Sequence, residues 1–253
     1  MHRFFFSGDC QGNELTLSGT EAHHAASVLR VQRSERVTVL DGKGTEMVGE
    51  VVEARNQAVR VKLLERRLVP PSPYRITLVQ AVPKGKLFED IVEKATELGA
   101  FRIVPLLSER VVVHLDSAQR TAKQTKWQGV AIEAIKQCGS PWLPEVERPL
   151  SIKEFIEQHQ RYDLALVGAL DGSARHPREH LRAYQGRTGG LPENICVWIG
   201  PEGDFSPSEL ETIRSAGVLP ITLGPLVLRT ETAAMYCLSF LNYELRAPHG
   251  ALC

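Results

Sequence analysis

The chain has 253 residues and carries 30 Lys and Arg against 30 Asp and Glu, a formal net charge of zero. That length suffices for one large domain or two modest ones, each with its own core, and the charge balance gives no whole-molecule field that would hint at nucleic acid. The five cysteines, at positions 10, 138, 196, 237 and 253, show no CxxC pair and no metal-ligand spacing. They read as free thiols in a reducing cytosol, with no disulfide framework and no metal site. Phe4-Phe5-Phe6 after Arg3 is too short for the apolar region of a signal peptide, and no apolar run approaches a membrane span. The expectation is a soluble cytoplasmic protein.

Residues 1 to about 70 read as β-rich. Arg3 to Phe6, Glu14 to Leu17, Arg36 to Leu40, Glu46 to Val52 and Val59 to Leu64 are short candidate strands. Asp41-Gly42 with Gly44 is a hairpin signal between the third and the fourth. A helix is expected near Ala22 to Leu29, started by Thr20 or Ser18, with His23 and His24 read as packing or surface residues. Several short strands at regular spacing suggest a small barrel. Arg30, Arg33 and Arg36 form a basic strip, interrupted by Glu35, that by itself reads as a solvated face more than as a nucleic-acid contact; only the fold context favours the latter.

Val69-Pro70-Pro71-Ser72-Pro73 stiffens the chain into an extended linker, which places a domain junction between residues 1–70 and 74–253. Beyond it strands and helices alternate. Ile76 to Val82 is a strand. The segment Lys86 to Leu98 presents Leu87, Phe88, Ile91, Val92, Ala95 and Leu98 on one helical face and stops at Gly99. Arg102 to Leu106 is the next strand, followed by a long helix over about Ser117 to Gln137 with Arg120, Lys123 and Lys126 at helical spacing. A short helix starts at Ser151 with a capping box to Glu154. Asp163 to Gly168 is a strand, and the segment from there to Pro192 reads as polar connection. Repeated βα units argue for a mostly parallel sheet covered on both faces.

The region from Ile195 to Met235 organises this second part. The apolar strand Ile195 to Ile199 runs into Gly200-Pro201-Glu202-Gly203, a composition that allows a tight turn and a close backbone approach by a ligand. Ser206 with Glu209 forms a capping box, Pro207 takes the first helical position and Gly217 follows the end. A second strand, Leu219 to Leu223, leads into Gly224-Pro225, and Leu226 to Ala233 opens a last helix. Two such transitions side by side at the carboxyl edge of a parallel sheet are where a nucleotide-like ligand is expected. There is no GxxxxGK[ST] and no GxGxxG after a strand, so neither a P-loop nor a Rossmann dinucleotide site is readable.

IGPEGDFSPSE followed by LGPLVLRTETA resembles the two C-terminal motifs of the RsmE family, the 16S rRNA (uracil-1498-N3)-methyltransferases of the SPOUT superfamily. His2-Arg3-Phe4-Phe5, His24 with Val28-Leu29-Arg30, and Lys94-Ala95-Thr96-Glu97-Leu98-Gly99 extend the resemblance over nearly the whole chain. It departs from the family at Asp204, where a third glycine is usual, and at Ser140, where an arginine is usual. The resemblance implies an α/β fold: a SPOUT methyltransferase domain with a deep trefoil knot, behind an N-terminal PUA-like β-barrel that binds RNA. It also implies methyl transfer from S-adenosylmethionine to N3 of uridine 1498 in the small ribosomal subunit, and a homodimer. The last helix, with Met235, Tyr236, Leu238, Phe240, Leu241 and Tyr243, offers more apolar surface than one sheet face needs.

In that frame the methyl donor is held by three loops, at Val167 and Gly168, at Ile199, Gly200, Pro201, Glu202 and Gly203, and at Leu223, Gly224, Leu226 and Leu228, with Ala233 beyond them. N3 of uridine is a poor nucleophile until it loses its proton, and charge then grows on the flanking carbonyls. Arg229, a permanent cation with a fork of donors, suits that charge, and Glu202 or Glu231 is placed to take the proton if partly desolvated. Each glutamate also has a structural reading, helix capping for Glu231 and loop anchoring for Glu202. Arg3, Arg30, Arg33, Lys84 and Lys86 are the candidate RNA contacts. The alternatives left open are a SPOUT enzyme acting on another RNA or on a ribose 2′-oxygen, and a non-catalytic RNA-binding or ribosome-assembly module.

Overall fold

The computed structural model describes residues 1–8, 10, 12–110, 115–170 and 172–246. Cys253, one of the expected free thiols, lies outside them. The chain forms two compact units, Met1–Pro71 with Ile132–Leu143, and Ser72–Ala131 with Pro144 onward.

The first unit is a five-stranded barrel-like sheet of β1 (His2–Phe5), β2 (Glu14–Ser18), β3 (Arg36–Leu40), β4 (Thr45–Arg55) and β5 (Ala58–Leu68), in the order β1-β3-β4-β5-β2. Only β1 and β3 pair in parallel. Alternation sends Phe4, Leu15, Leu17, Val37, Val39, Val59 and Val61 into one core. The expected hairpin joins β3 to β4: Asp41 Oδ1 accepts from the N–H groups of Lys43 and Thr45 at 2.7 and 2.8 Å, and Gly42 and Gly44 take φ of 72° and 102°. Strands β4 and β5 run longer than their apolar pattern suggests. Their ladder continues to Thr45 opposite Leu68 through two register shifts, and the charges at Glu65, Arg66 and Arg67 conceal that extension in the sequence. The helix α1 (Gly19–His23) continues as a π-helical turn over His24–Val28. His24 packs edge-on against the Phe4 ring, as a packing residue would.

The second unit is built on a parallel sheet in the order β12-β10-β11-β6-β7-β8, of β6 (Arg75–Ala81), β7 (Arg102–Leu107), β8 (Glu145–Val146), β10 (Leu164–Gly168), β11 (Asn194–Ile199) and β12 (Leu219–Ile221), while β9 (Leu150–Ser151) pairs with β7. Helices α2 (Leu87–Glu97), α3 (Ser117–Cys138), α4 (Ile152–Glu157), α6 (Pro207–Ser215) and α7 (Thr230–Leu245) fall where the periodicity places them. Both expected capping boxes form, Ser151 with Glu154 and Ser206 with Glu209. Burial pushes the Glu154 carboxyl up, but hydrogen bonds from Ser151 and Arg120 outweigh it and hold the group below its ordinary value.

The polar connection expected before Pro192 contains a helix, α5 (Pro177–Thr188). Its apolar face is little more than Leu181, so periodicity is silent there. Its ends carry the signal instead, with Pro177 at the first position, the His176 ring accepting from the Arg178 N–H, and Gly189 at φ 82°. On α7, Leu238 and Leu241 are fully buried within the unit, which leaves Tyr236 and Tyr243 as its exposed large side chains, at 45% and 76%.

Among the described residues no helix is long and apolar enough to cross a membrane, and no group of three or more His, Cys, Asp or Glu gathers as metal ligands. Cys10, Cys138, Cys196 and Cys237 are free.

Candidate active site

Strand β11 lies between β10 and β6, although the chain lays down β6 and β7 first and returns much later to add β10, β11 and β12. The sheet order therefore reverses at this point, and the carboxyl ends of β10, β11 and β12 open onto a common crevice. A cavity of about 260 Å³ sits there, walled by three loops. Gly168, Ala169 and Leu170 come from the end of β10, Ile199 to Glu202 and Asp204 from β11, and Thr222 to Leu228 follow β12. Thr230 and Ala233 of α7 complete the wall. Of the residues expected around a donor, Gly168, Ile199, Gly200, Pro201, Glu202, Leu223, Gly224, Leu226, Leu228 and Ala233 are brought together here.

Two expected members stand apart. Val167 points into the sheet core and is fully buried. Gly203 turns outward, and its carbonyl accepts from Arg110 Nη1. Sequence reasoning missed Ala169, Leu170, Asp204, Thr222, Pro225, Val227 and Thr230, all one or two positions from residues it did name. Leu226 and Val227 are 74% and 76% exposed at the mouth, which is unusual for neighbouring aliphatic side chains beside a cavity.

The loop after β11 is held from several directions. Asp204 N–H donates to the Pro201 carbonyl at 2.9 Å, and the Asp204 carboxylate accepts from the Phe205 N–H at 2.8 Å. Asp204 adopts φ 62°, a left-handed conformation that suits glycine and, next best, Asn or Asp, whose short side chain bonds locally. The departure from glycine here keeps the turn. A Cβ at Gly200 would stand 3.0 Å from Asp204 Oδ1 and 3.2 Å from the Phe205 nitrogen, so a side chain there would require the loop to yield by a few tenths of an ångström. Behind the loop, Glu209 is 5% exposed and accepts from the backbone of Glu109 at 2.7 Å and of Ser206 at 2.8 Å. Ser206 donates to Glu109 Oε2 at 2.7 Å.

The chemical candidates ring this cavity unevenly. Glu202 lines it and is exposed. Arg229 is the cap residue of α7, exposed, one position before the cavity residue Thr230; its side chain is not part of the wall, and among the described residues it makes no hydrogen bond or ion pair. Glu231 lies in the first turn of α7, half-buried, where its charge favours the helix end.

The candidate RNA contacts divide. The Arg3 guanidinium donates to the carbonyls of Lys136 and Gln137 at 3.2 and 3.0 Å, so it closes the carboxyl end of α3. Ser140 makes a local turn with Trp142, donating to its carbonyl at 3.0 Å. Arg30, at φ 54°, and Arg33 line a groove of the first unit with Gln32, Asn56 and Arg60. Lys84 and Lys86 are exposed at the turn between β6 and α2.

Comparison with known proteins bears on these features directly. Residues 70–242 match an RNA methyltransferase domain and residues 17–64 an RNA methyltransferase PUA domain. The ribosomal RNA small subunit methyltransferase E of a Synechocystis species is 33% identical, over 92% of this chain and 74% of its own length. That of Bacillus subtilis is 28% identical over 99% of both chains. Among solved structures, a methyltransferase from Legionella pneumophila, in complex with S-adenosylmethionine, superposes with a TM-score of 0.86 at 32% identity, over 96% of this chain and 97% of that one. The small subunit methyltransferase E of Neisseria gonorrhoeae, bound to S-adenosylmethionine, gives 0.83 at 25% identity, over 96% and 98%. The chain belongs to the ribosomal RNA small subunit methyltransferase E family of RNA methyltransferases, with the α/β methyltransferase domain behind a PUA domain that defines them.

Proposed function

We propose that this chain methylates N3 of uridine 1498 in the 16S rRNA of the small ribosomal subunit, with S-adenosylmethionine as donor. The observation that carries the reading is the cavity closed by the ends of β10, β11 and β12, on a chain that belongs to this family. Among the described residues its walls are mostly aliphatic side chains and loop backbone, with the Thr222 and Thr230 side chains, and Glu202 and Asp204 are its charged members. Such walls suit a flat adenine read through backbone groups, and the two carboxylates favour a ligand bearing sulfonium and ammonium charge. When bound, that donor supplies an electrophilic methyl group.

The residues of the chain do the rest. The loops exclude water from the crevice and orient the base. Arg229, at the cap of α7, meets a uracil carbonyl as negative charge grows with loss of the N3 proton, and its planar fork serves two acceptors at once. Glu202, at the cavity wall, is the better placed proton acceptor, and Glu231 supports the start of α7. Residues 1–70, which form one compact unit with Ile132–Leu143, are the RNA-binding domain, and the remainder of residues 74–253 carries the chemistry. Arg30 and Arg33 in the barrel groove, with Lys84 and Lys86 beside the sheet edge, face the phosphate backbone.

The reading extends to the cytoplasm as location, where ribosomes are modified, and to a homodimer that covers Tyr236 and Tyr243 on α7. It also includes a trefoil knot, which the family resemblance implies. The deciding experiment is mass spectrometry of 16S rRNA from cells with and without the gene. Loss of a methyl group at N3 of uridine 1498 supports the assignment. A mark lost from a ribose 2′-oxygen or from another RNA, or no change, refutes it.

A further inference from the structure

Gln80, in β6 opposite Ile199 of β11, is completely buried. Its side-chain amide donates to the hydroxyl of Thr230 at 2.8 Å and to the Ala81 carbonyl at 3.0 Å. The Thr230 hydroxyl, itself only 3% exposed, donates in turn to the Gly200 carbonyl at 2.6 Å. Three chain segments that are far apart in sequence thus meet in one directed relay, from β6 through the first residue of α7 to the first residue after β11.

Two features separate this relay from ordinary core packing. The oxygen of the Gln80 amide is buried without a hydrogen-bond partner among the described residues. An unmet acceptor in a core costs stability, and an aliphatic side chain of similar shape avoids that cost, so stability alone gives no reason for an amide at this place. The far end of the relay, the Gly200 carbonyl, also takes its hydrogen bond from the relay itself. The next carbonyl, that of Pro201, is held by the Asp204 N–H within the loop, whereas among the described residues the Gly200 carbonyl accepts from Thr230 alone.

We propose that Gln80 is a positioning residue for the donor site, which acts through Thr230 to set the orientation of the Gly200 peptide and so prepares the loop after β11 for the donor. The inference rests on the function proposed above. Its direction matters: Gln80 must donate so that the Thr230 hydroxyl is free to donate onward. A carboxylate at position 80 can only accept from Thr230, which turns the hydroxyl away from Gly200 and leaves that carbonyl without a donor. The loop then orders only on binding, and donor affinity falls while the RNA surface is untouched.

The test measures S-adenosylmethionine affinity by calorimetry, together with KM for rRNA and melting temperature, on Thr230→Ser, Thr230→Val, Gln80→Met and Gln80→Glu. Thr230→Ser keeps the hydroxyl and is expected to lose clearly less donor affinity than Thr230→Val. Thr230→Val and Gln80→Glu should each weaken donor binding about tenfold or more, with KM for rRNA unchanged. Gln80→Met, which leaves Thr230 free to donate, should fall between. A relay that only holds the fold together predicts a different pattern: lower melting temperatures but full donor affinity in the folded fraction of all four. Donor binding within about twofold of the unaltered protein in folded Gln80→Glu or Thr230→Val overturns the inference. If the unaltered protein itself binds no donor, the proposed function fails first and the relay with it.

Discussion

Asp204 offers a perturbation whose size follows from two observations, its φ of 62° and the 2.8 Å hydrogen bond that its carboxylate accepts from the Phe205 N–H. A left-handed residue with an ordinary Cβ costs about 1–2 kcal/mol, and a net hydrogen bond contributes about 1 kcal/mol. Asp204→Ala removes the bond and meets the full conformational cost, so it is expected to destabilise the protein by about 2 kcal/mol. For a chain of this size that lowers Tm by roughly 4–8 °C. Asp204→Asn keeps both the acceptor and the tolerance of this conformation and should stay within about 0.5 kcal/mol of the parent. Asp204→Gly loses the bond but relieves the backbone, so the two terms nearly offset and the variant falls between. Because Asp204 lines the cavity and bonds the Pro201 carbonyl through its own N–H, donor affinity should follow the same order, Asn above Gly above Ala. Thermal unfolding and donor titration on one preparation of each variant measure both. If Asp204→Ala melts with Asp204→Asn, the backbone argument is wrong. If it melts lower but binds donor equally well, the turn does not shape the site.

Arg229→Lys should fold and bind donor yet react about tenfold more slowly in single turnover, about 1.4 kcal/mol in the barrier; an unchanged rate in Arg229→Ala would remove this residue from the mechanism. Burial pushes the Cys237 thiol up to about 12 from 9.0 and raises the fully buried Cys196 as well. In both cases the folded value is raised, so their contribution to stability is complete below the ordinary thiol value. It is lost as pH climbs through and beyond it, which alkaline melts should show as a steady fall that Cys237→Ala and Cys196→Ala reduce. Rapid reaction of all the thiols with a disulfide reagent under native conditions would contradict that burial. A fragment beginning at Ser72 should keep donor binding and lose most RNA affinity. In it the end of α3, from Ile132, exchanges its amide hydrogens faster, because Lys136 loses Glu21 and its carbonyl loses Arg3. Methylation of rRNA by this fragment at the full-length rate would refute the role given to the barrel.

What the sequence determined by itself was local and punctuated. The capping boxes at Ser151 and Ser206, the hairpin at Asp41-Gly42, and the stops at Gly99 and Gly217 are contacts within a few residues, so composition and spacing suffice to read them. The same holds for the strands Leu164–Gly168 and Asn194–Ile199, whose apolar runs mark burial on both faces. Helix α5 escaped because a helix lying mostly in solvent carries its signal in its two ends, not in a periodic apolar stripe. The loops of the site were legible as glycine-bearing turns after strands, and the family motifs named most of the residues in them. Only the tertiary structure decided which of these face one cavity. Val167 and Gly168 are adjacent, yet alternation along a strand sends one into the core and leaves the other at the rim. Arg3 reads in isolation as a cation available to RNA; the fold commits it to two carbonyls at the end of α3. The Gln80–Thr230–Gly200 relay joins positions up to 150 residues apart. Nothing local distinguishes a buried amide in a strand from any other, because its partners are set by sheet order, and the order arises only when β11 is placed between β10 and β6.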